Sequence, residues 1–175
     1  MVRYHDDEWG VPVHDDTELF ERLALESFQA GLSWTTILRK RDAFRAGFRG
    51  FSPAVVARFD DLDRERLMAD AGIVRNRAKI DATIGNAAAV LAIADELGSF
   101  GAYLRAMVPP PPRRMPASAV GGDIPASTAV SDTLSADLRR RGMRFVGSTI
   151  VYAFMQSVGL VDDHLPGCFR YAGPD

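Results

Sequence analysis

The chain has 175 residues and a mass of 19.1 kDa, with 47% hydrophobic and 25% charged residues and a mean hydropathy of −0.06. That suits one globular core and excludes disordered, collagen-like and coiled-coil polypeptides. No apolar run approaches the roughly 18 residues of a membrane span, and residues 1–10 are too polar for a signal peptide, so a cytoplasmic protein is expected. The one cysteine, Cys168, cannot form an internal disulfide, and the net charge of −2 argues only weakly against nucleic acid, because arginines cluster at 139–141 and again at 75 and 77.

In chain order, Asp15 or Asp16 caps a first helix running to about Ala30, with Leu19, Leu23, Glu26 and Ala30 on one side at helical spacing. Gly31 breaks it. Ser33 caps a second helix from Trp34 toward Ala46, and Ser52-Pro53 opens a short helix to Arg58, since proline is tolerated in a first turn. Asp63 caps a helix through Asp70, Gly72 ends it, and a long helix with Ile80, Ile84, Ala88 and Leu91 on one face runs to Leu97 before Gly98. Residues 109–123, rich in Pro, Gly, Ala and Ser without a period, read as a surface loop within the domain. Ser127 or Thr128 caps a helix ending at Arg141, and Val146, Ile150, Val151, Phe154, Met155 and Val158 mark a last apolar face ending at Gly159. No alternating pattern competes and no repeat is present. The expectation is one compact all-α domain over residues 1–175, acting as a monomer.

His164 and Cys168 lie one helical turn apart if their segment is helical, but the pair alone reads better as a surface histidine beside a buried thiol. His5 joins them if the N-terminal strip folds against the C-terminus, making three zinc ligands that staple the chain ends; His14 is a spare. Asp6, Asp7 and Glu8 are acceptors for the His5 ring or a solvated acidic run. Tyr4, Trp9 and Trp34 are surfaces on which a flat base stacks, or core aromatics. Glu26, among leucines, is either a desolvated carboxylate suited to a cationic ligand or an exposed helix glutamate, and periodicity does not choose. Residues 70–79, DAGIVRNRAK, read as helix, glycine turn and helix, with amides at the second N-terminus open to a phosphate, a pattern shared with hairpins that bind no DNA.

Together, YHDDEWG (4–10), LESFQAGLSW (25–34), AGIVRNRAKI (71–80) and RFVGSTIVYAFMQSVGLVDDH (144–164) resemble the 3-methyladenine DNA glycosylase I family, in order, over nearly the whole chain. Residues 109–123 are the least family-like part. The resemblance implies a helix-hairpin-helix fold that hydrolyses the N-glycosidic bond of 3-methyladenine in double-stranded alkylated DNA, with free 3-methyladenine as product and no lyase step. It implies that Glu26 is the base-binding, catalytic glutamate, that Tyr4 and Trp34 stack on the lesion, and that Trp9 lies nearby in the same pocket. It further implies that Gly72, Ile73, Arg75, Arg77 and Lys79 belong to a DNA-anchoring hairpin. His5, His164 and Cys168 match three of the four ligands of a structural zinc; the fourth, a cysteine, lies in family members before the first residue present here. A non-catalytic module that binds alkylated DNA or a methylated base is the alternative, and release of 3-methyladenine separates the two.

Overall fold

The computed structural model describes residues 1–110 and 112–173; Pro111, inside the proline run, and residues 174–175 at the end of the expected domain lie outside them. Helices α1 (Val2–Asp7), α2 (Asp16–Gln29), α3 (Trp34–Gly47), α4 (Pro53–Val56), α5 (Asp61–Ala69), α6 (Arg77–Leu97), α7 (Phe100–Met107), α8 (Ala129–Arg140) and α9 (Ser148–Ser157) follow in order. Two-residue strands β1 (Arg113–Arg114) and β2 (Val161–Asp162) pair in parallel, Arg113 opposite Val161. The chain is therefore mostly helical, as its pattern predicts, and no single helix among the described residues is long and apolar enough to cross a membrane.

The expected caps are largely the ones used. Asp15 accepts from the N–H of Glu18, Ser33 from Thr36 and Thr128 from Ser131, each satisfying a first-turn donor that would otherwise be orphaned. For α5 the cap is Asp60 rather than Asp63; Asp63 sits one turn further in, donates its own N–H to Asp60 and receives Arg66. Helices α1 and α7 were not expected, because six and eight residues are too few to show a helical period. The turn between α6 and α7 uses Gly98 at φ +89°, a left-handed conformation that glycine adopts without strain.

Helix α2 is the spine of the molecule, packed by α3, α6, α7 and α9, and every residue from Leu19 to Phe28 is buried. A helix covered on all sides buries its polar positions too, which is how Glu21, Arg22 and Glu26 come to lie inside. Phe28 begins a run of ring contacts through Phe44, Phe48 and Phe51, with centroids 4.6 to 6.3 Å apart, that fixes α2 against α3. The segment 109–123 is more than a surface loop. Its β1 strand joins β2, and Met115 is buried.

Candidate active site

Trp34 opens α3 immediately after the Ser33 cap, Tyr4 comes from α1, Glu26 from the last turn of α2 and Gln156 from α9. Together with His5, Trp9 and Gln29 they line a cleft of about 350 Å³, at the low end of the range for small-molecule sites. The structure thus unites all four residues expected to bind substrate, Tyr4, Trp9, Glu26 and Trp34.

Glu26 is 6% exposed and no described residue gives it a hydrogen bond; burial pushes its pKa up to about 8, opposed by the attraction of Arg22. The choice left open by periodicity is settled in favour of the desolvated carboxylate. Around it, the Tyr4 hydroxyl and the Trp34 indole N–H are buried and make no hydrogen bond of ordinary geometry to a described residue, and burial, with Glu26 next and Arg22 opposing, raises the Tyr4 phenol so that it keeps its proton. Tyr4 and Trp34 are themselves in contact, centroids 5.3 Å apart at 53°. A base held between two faces needs them roughly 7 Å apart, two van der Waals spacings, so the rings must open for one to enter.

Behind the cleft, Glu8 bridges Arg41 (2.5 and 3.0 Å) and Arg22 (3.1 Å), and Arg22 also reaches Glu18 and lies 5.7 Å over the Tyr4 ring. Although its own burial acts the other way, the Arg41 hydrogen bond holds the Glu8 carboxyl below its ordinary range. Glu8 is therefore a half-buried bridge from the end of α1 to α2 and α3 rather than part of a solvated acidic run.

His5, His164 and Cys168 converge with their ligand atoms all within 4.8 Å of one another. They do so although residues 163–171 are not helical, so helical spacing is not what pairs His164 with Cys168. Each histidine engages a carboxylate through Nδ1, His5 to Asp6 at 2.8 Å and His164 to Asp162 at 2.6 Å. That leaves both Nε2 atoms facing the cluster: His5 Nε2 lies 3.4 Å from Cys168 Sγ, and His164 Nε2 is buried with no partner among the described residues. Carboxylate-oriented imidazoles beside a thiol suit a metal such as zinc. The cluster adjoins the cleft, since His5 lines it and Trp9 packs edge-on against His164 at 4.7 Å. His14 is exposed and takes no part.

At the helical hairpin between α5 and α6 the expected DNA contacts separate. Arg75 and Arg77 are exposed. Lys79 is not a surface cation: it is 7% exposed and its Nζ donates to the carbonyls of Phe28 (2.9 Å) and Ala30 (2.6 Å), which removes it from phosphate contact. The Ile73 side chain is buried in the core, so it anchors the hairpin instead of touching a ligand. Gly72 spends its N–H on Asp70 Oδ1, and a Cβ there would meet Ala43 at 2.8 Å; its role is the tight turn against α3. The feature missed in the sequence is Leu32, 40% exposed in the turn between Glu26 and Trp34, where Gly31 has φ +82°. An exposed leucine after a left-handed glycine has no periodic signal to reveal it.

The family model described as methyladenine glycosylase matches residues 1–171. The chain is 48% identical over 172 residues to DNA-3-methyladenine glycosylase 1 of Escherichia coli, covering 98% of this chain and 91% of that protein. It is 42% identical over 167 residues to the DNA-3-methyladenine glycosylase of Haemophilus influenzae, covering 95% and 90%. Among solved structures, it superimposes on a 3-methyladenine DNA glycosylase I with a TM-score of 0.92 at 46% identity, covering 97% of this chain and 93% of the other. The structure described as the basis of 3-methyladenine recognition by the Staphylococcus aureus enzyme gives a TM-score of 0.93 at 36% identity, covering 99% and 92%.

Proposed function

The chain belongs to the methyladenine glycosylase family and excises 3-methyladenine from alkylated DNA as a DNA-3-methyladenine glycosylase; from that premise we propose that Glu26 recognises the flipped lesion in the cleft between Tyr4 and Trp34. The observation that carries this reading is a buried carboxylate to which no described residue donates a hydrogen bond, lining an aromatic cleft. A nucleotide carrying 3-methyladenine has a cationic base, and its charge compensates the desolvated carboxylate, while its exocyclic amine donates to it. A normal adenine is neutral, so beside it Glu26, whose pKa burial pushes up to about 8, keeps its proton and gains no ion pair, and selectivity is electrostatic as well as steric.

Hydrolysis needs little acid catalysis, because the cationic base leaves with the electron pair of its glycosidic bond and departs neutral. The sugar becomes oxocarbenium-like, water adds at C1′, and its proton is released. Glu26 is the one carboxylate among the described residues lining the cleft, and it faces the base, so the flanking DNA phosphates supply most of the charge stabilisation at the sugar. The reaction stops at the abasic site. Neither lysine offers its amine for a lyase step, Lys79 being committed to the carbonyls of Phe28 and Ala30 and Lys40 to those of Ala71 and Gly72.

The α5–α6 segment acts as a helix-hairpin-helix anchor for double-stranded DNA through Arg75, Arg77 and the first-turn amides of α6. Leu32, exposed at the same end of α2 as Glu26, fills the gap left by the flipped nucleotide. His5, His164 and Cys168 hold a zinc ion that, when bound, cross-links the two ends of the chain. The whole chain works as one domain and as a monomer, and a thiol ligand suits the reducing cytoplasm. Release of 3-methyladenine from methylated duplex DNA by the parent and not by Glu26→Gln, with metal determined on the same preparation, is the expected result. Equal release by both proteins removes Glu26 from the mechanism, and no release by folded, metal-loaded parent leaves a binding module.

A further inference from the structure

Gln156 is the polar side chain that α9 brings to the cleft, and neither charge recognition by Glu26 nor the hydrolysis uses it. Its amide is not free to choose its orientation. The Nε2 group donates to Asp163 Oδ2 at 2.8 Å, and Asp163 is 1% exposed. The same carboxylate receives the Tyr152 hydroxyl at 2.6 Å and Arg113 Nη1 on its other oxygen. Arg113 also donates to the Tyr152 oxygen at 2.9 Å, so the single phenolic proton goes to Asp163. Burial, followed by the Asp163 contact, raises the Tyr152 phenol and keeps that proton in place.

The Tyr152 proton and an Arg113 proton thus go to the carboxylate and another Arg113 proton to the Tyr152 oxygen, and none of them donates to Gln156. Turning the amide over would set an amide oxygen against a carboxylate oxygen at 2.8 Å, two acceptors with no hydrogen between them. The orientation is fixed: Nε2 faces Asp163, and Oε1, to which no described residue donates, is left as an acceptor at the cleft.

We propose that Gln156 is a specificity-determining residue whose Oε1, held in acceptor orientation by Asp163, selects purines with a 6-amino group over those with a 6-oxo group. This deepens the reading of the cleft as the lesion pocket. Adenine derivatives present an exocyclic amine with two protons, enough for two acceptors, whereas guanine derivatives place an oxygen at the same position and bring like against like. A site built to hydrogen-bond a substrate N–H discriminates strongly against an analogue lacking it. Asp163 and Arg113 are positioning residues here, acting through the glutamine. They also give residues 109–123 a task, since Arg113 enters from that segment by way of β1.

The test is excision from one methylated duplex DNA carrying both 3-methyladenine and 3-methylguanine, with parent, Gln156→Met and Asp163→Asn. Gln156→Met keeps length and the backbone carbonyl that receives Gly10 N–H, and removes the acceptor. It is expected to lower kcat/KM for 3-methyladenine about five- to tenfold, the worth of one hydrogen bond, with little loss on 3-methylguanine, so that their ratio falls. Asp163→Asn supplies a donor that lets the amide reverse, and is expected to lower the same ratio with Gln156 intact. A parent that releases no 3-methyladenine overturns the pocket assignment itself. A parent that does, beside a Gln156→Met protein with an unchanged ratio, overturns this inference, whether both rates are kept or both fall together with the urea midpoint.

Discussion

Replacing Glu26 by glutamine should make this protein more stable as well as inactive, and the gain should depend on pH in one direction. In the folded chain burial raises the Glu26 carboxyl from its ordinary 4.5 to about 8. Between those values the folded protein binds a proton that the unfolded chain has released, so stability falls as pH rises through that window. At about 1.4 kcal/mol for each tenfold, the full rise corresponds to an upper bound of about 5 kcal/mol at pH 8 and above. Glutamine has the same shape and does not ionise, so Glu26→Gln escapes that cost. Urea unfolding at pH 5 and pH 9 reads the difference directly, because every other titrating group is common to both proteins and largely cancels. The variant should match the parent within about 1 kcal/mol at pH 5 and exceed it by a few kcal/mol at pH 9. A stability difference that is the same at both pH values refutes the argument, since it means that Glu26 is not carrying a raised pKa in the folded state. The physical content is that recognition of a cationic base is obtained by holding a destabilising group in the fold.

Lys79→Met leaves two buried carbonyls, those of Phe28 and Ala30, without their donor, and should lower stability by about 1–3 kcal/mol in urea. The salt dependence of DNA binding should not change, and a slope reduced by a full unit would return Lys79 to the phosphate backbone. Arg75→Ala and Arg77→Ala should each weaken duplex binding and reduce the slope of log K against log salt by about 1, measured by fluorescence anisotropy over a salt series; unchanged slopes would move the DNA surface elsewhere. Gly10→Ala should lower the thermal midpoint, because φ is +74° there and the new Cβ would meet His164 Cε1 at 2.7 Å. The same substitution should weaken zinc retention in a chelator competition, and zinc bound as tightly as in the parent would show that His164 is not a ligand.

The helices and most of their caps could be read along the chain because the signals are local: Asp15, Ser33 and Thr128 each satisfy a donor three residues on, and the last helix repeats its apolar face every turn. The segments around Tyr4, Glu26, Ala71 and Phe145 were also enough to point to the family, and with it the reaction, and the first two of them carry most of the pocket. Other features depended on what packs against what. Whether Glu26 is buried is decided by four helices covering α2 on all sides, and no period within α2 contains that information. Lys79 reads as a surface cation in a basic stretch, yet α2 ends beside it and presents two carbonyls that need a donor. Gln156 and Asp163 look like ordinary polar positions until Arg113, 50 residues away in a segment without a period, closes the cluster around them. Caps and periods act within a few residues, where chain connectivity sets the geometry. Burial, charge environment and amide orientation are set by residues distant in sequence, and only folding brings those to the same place.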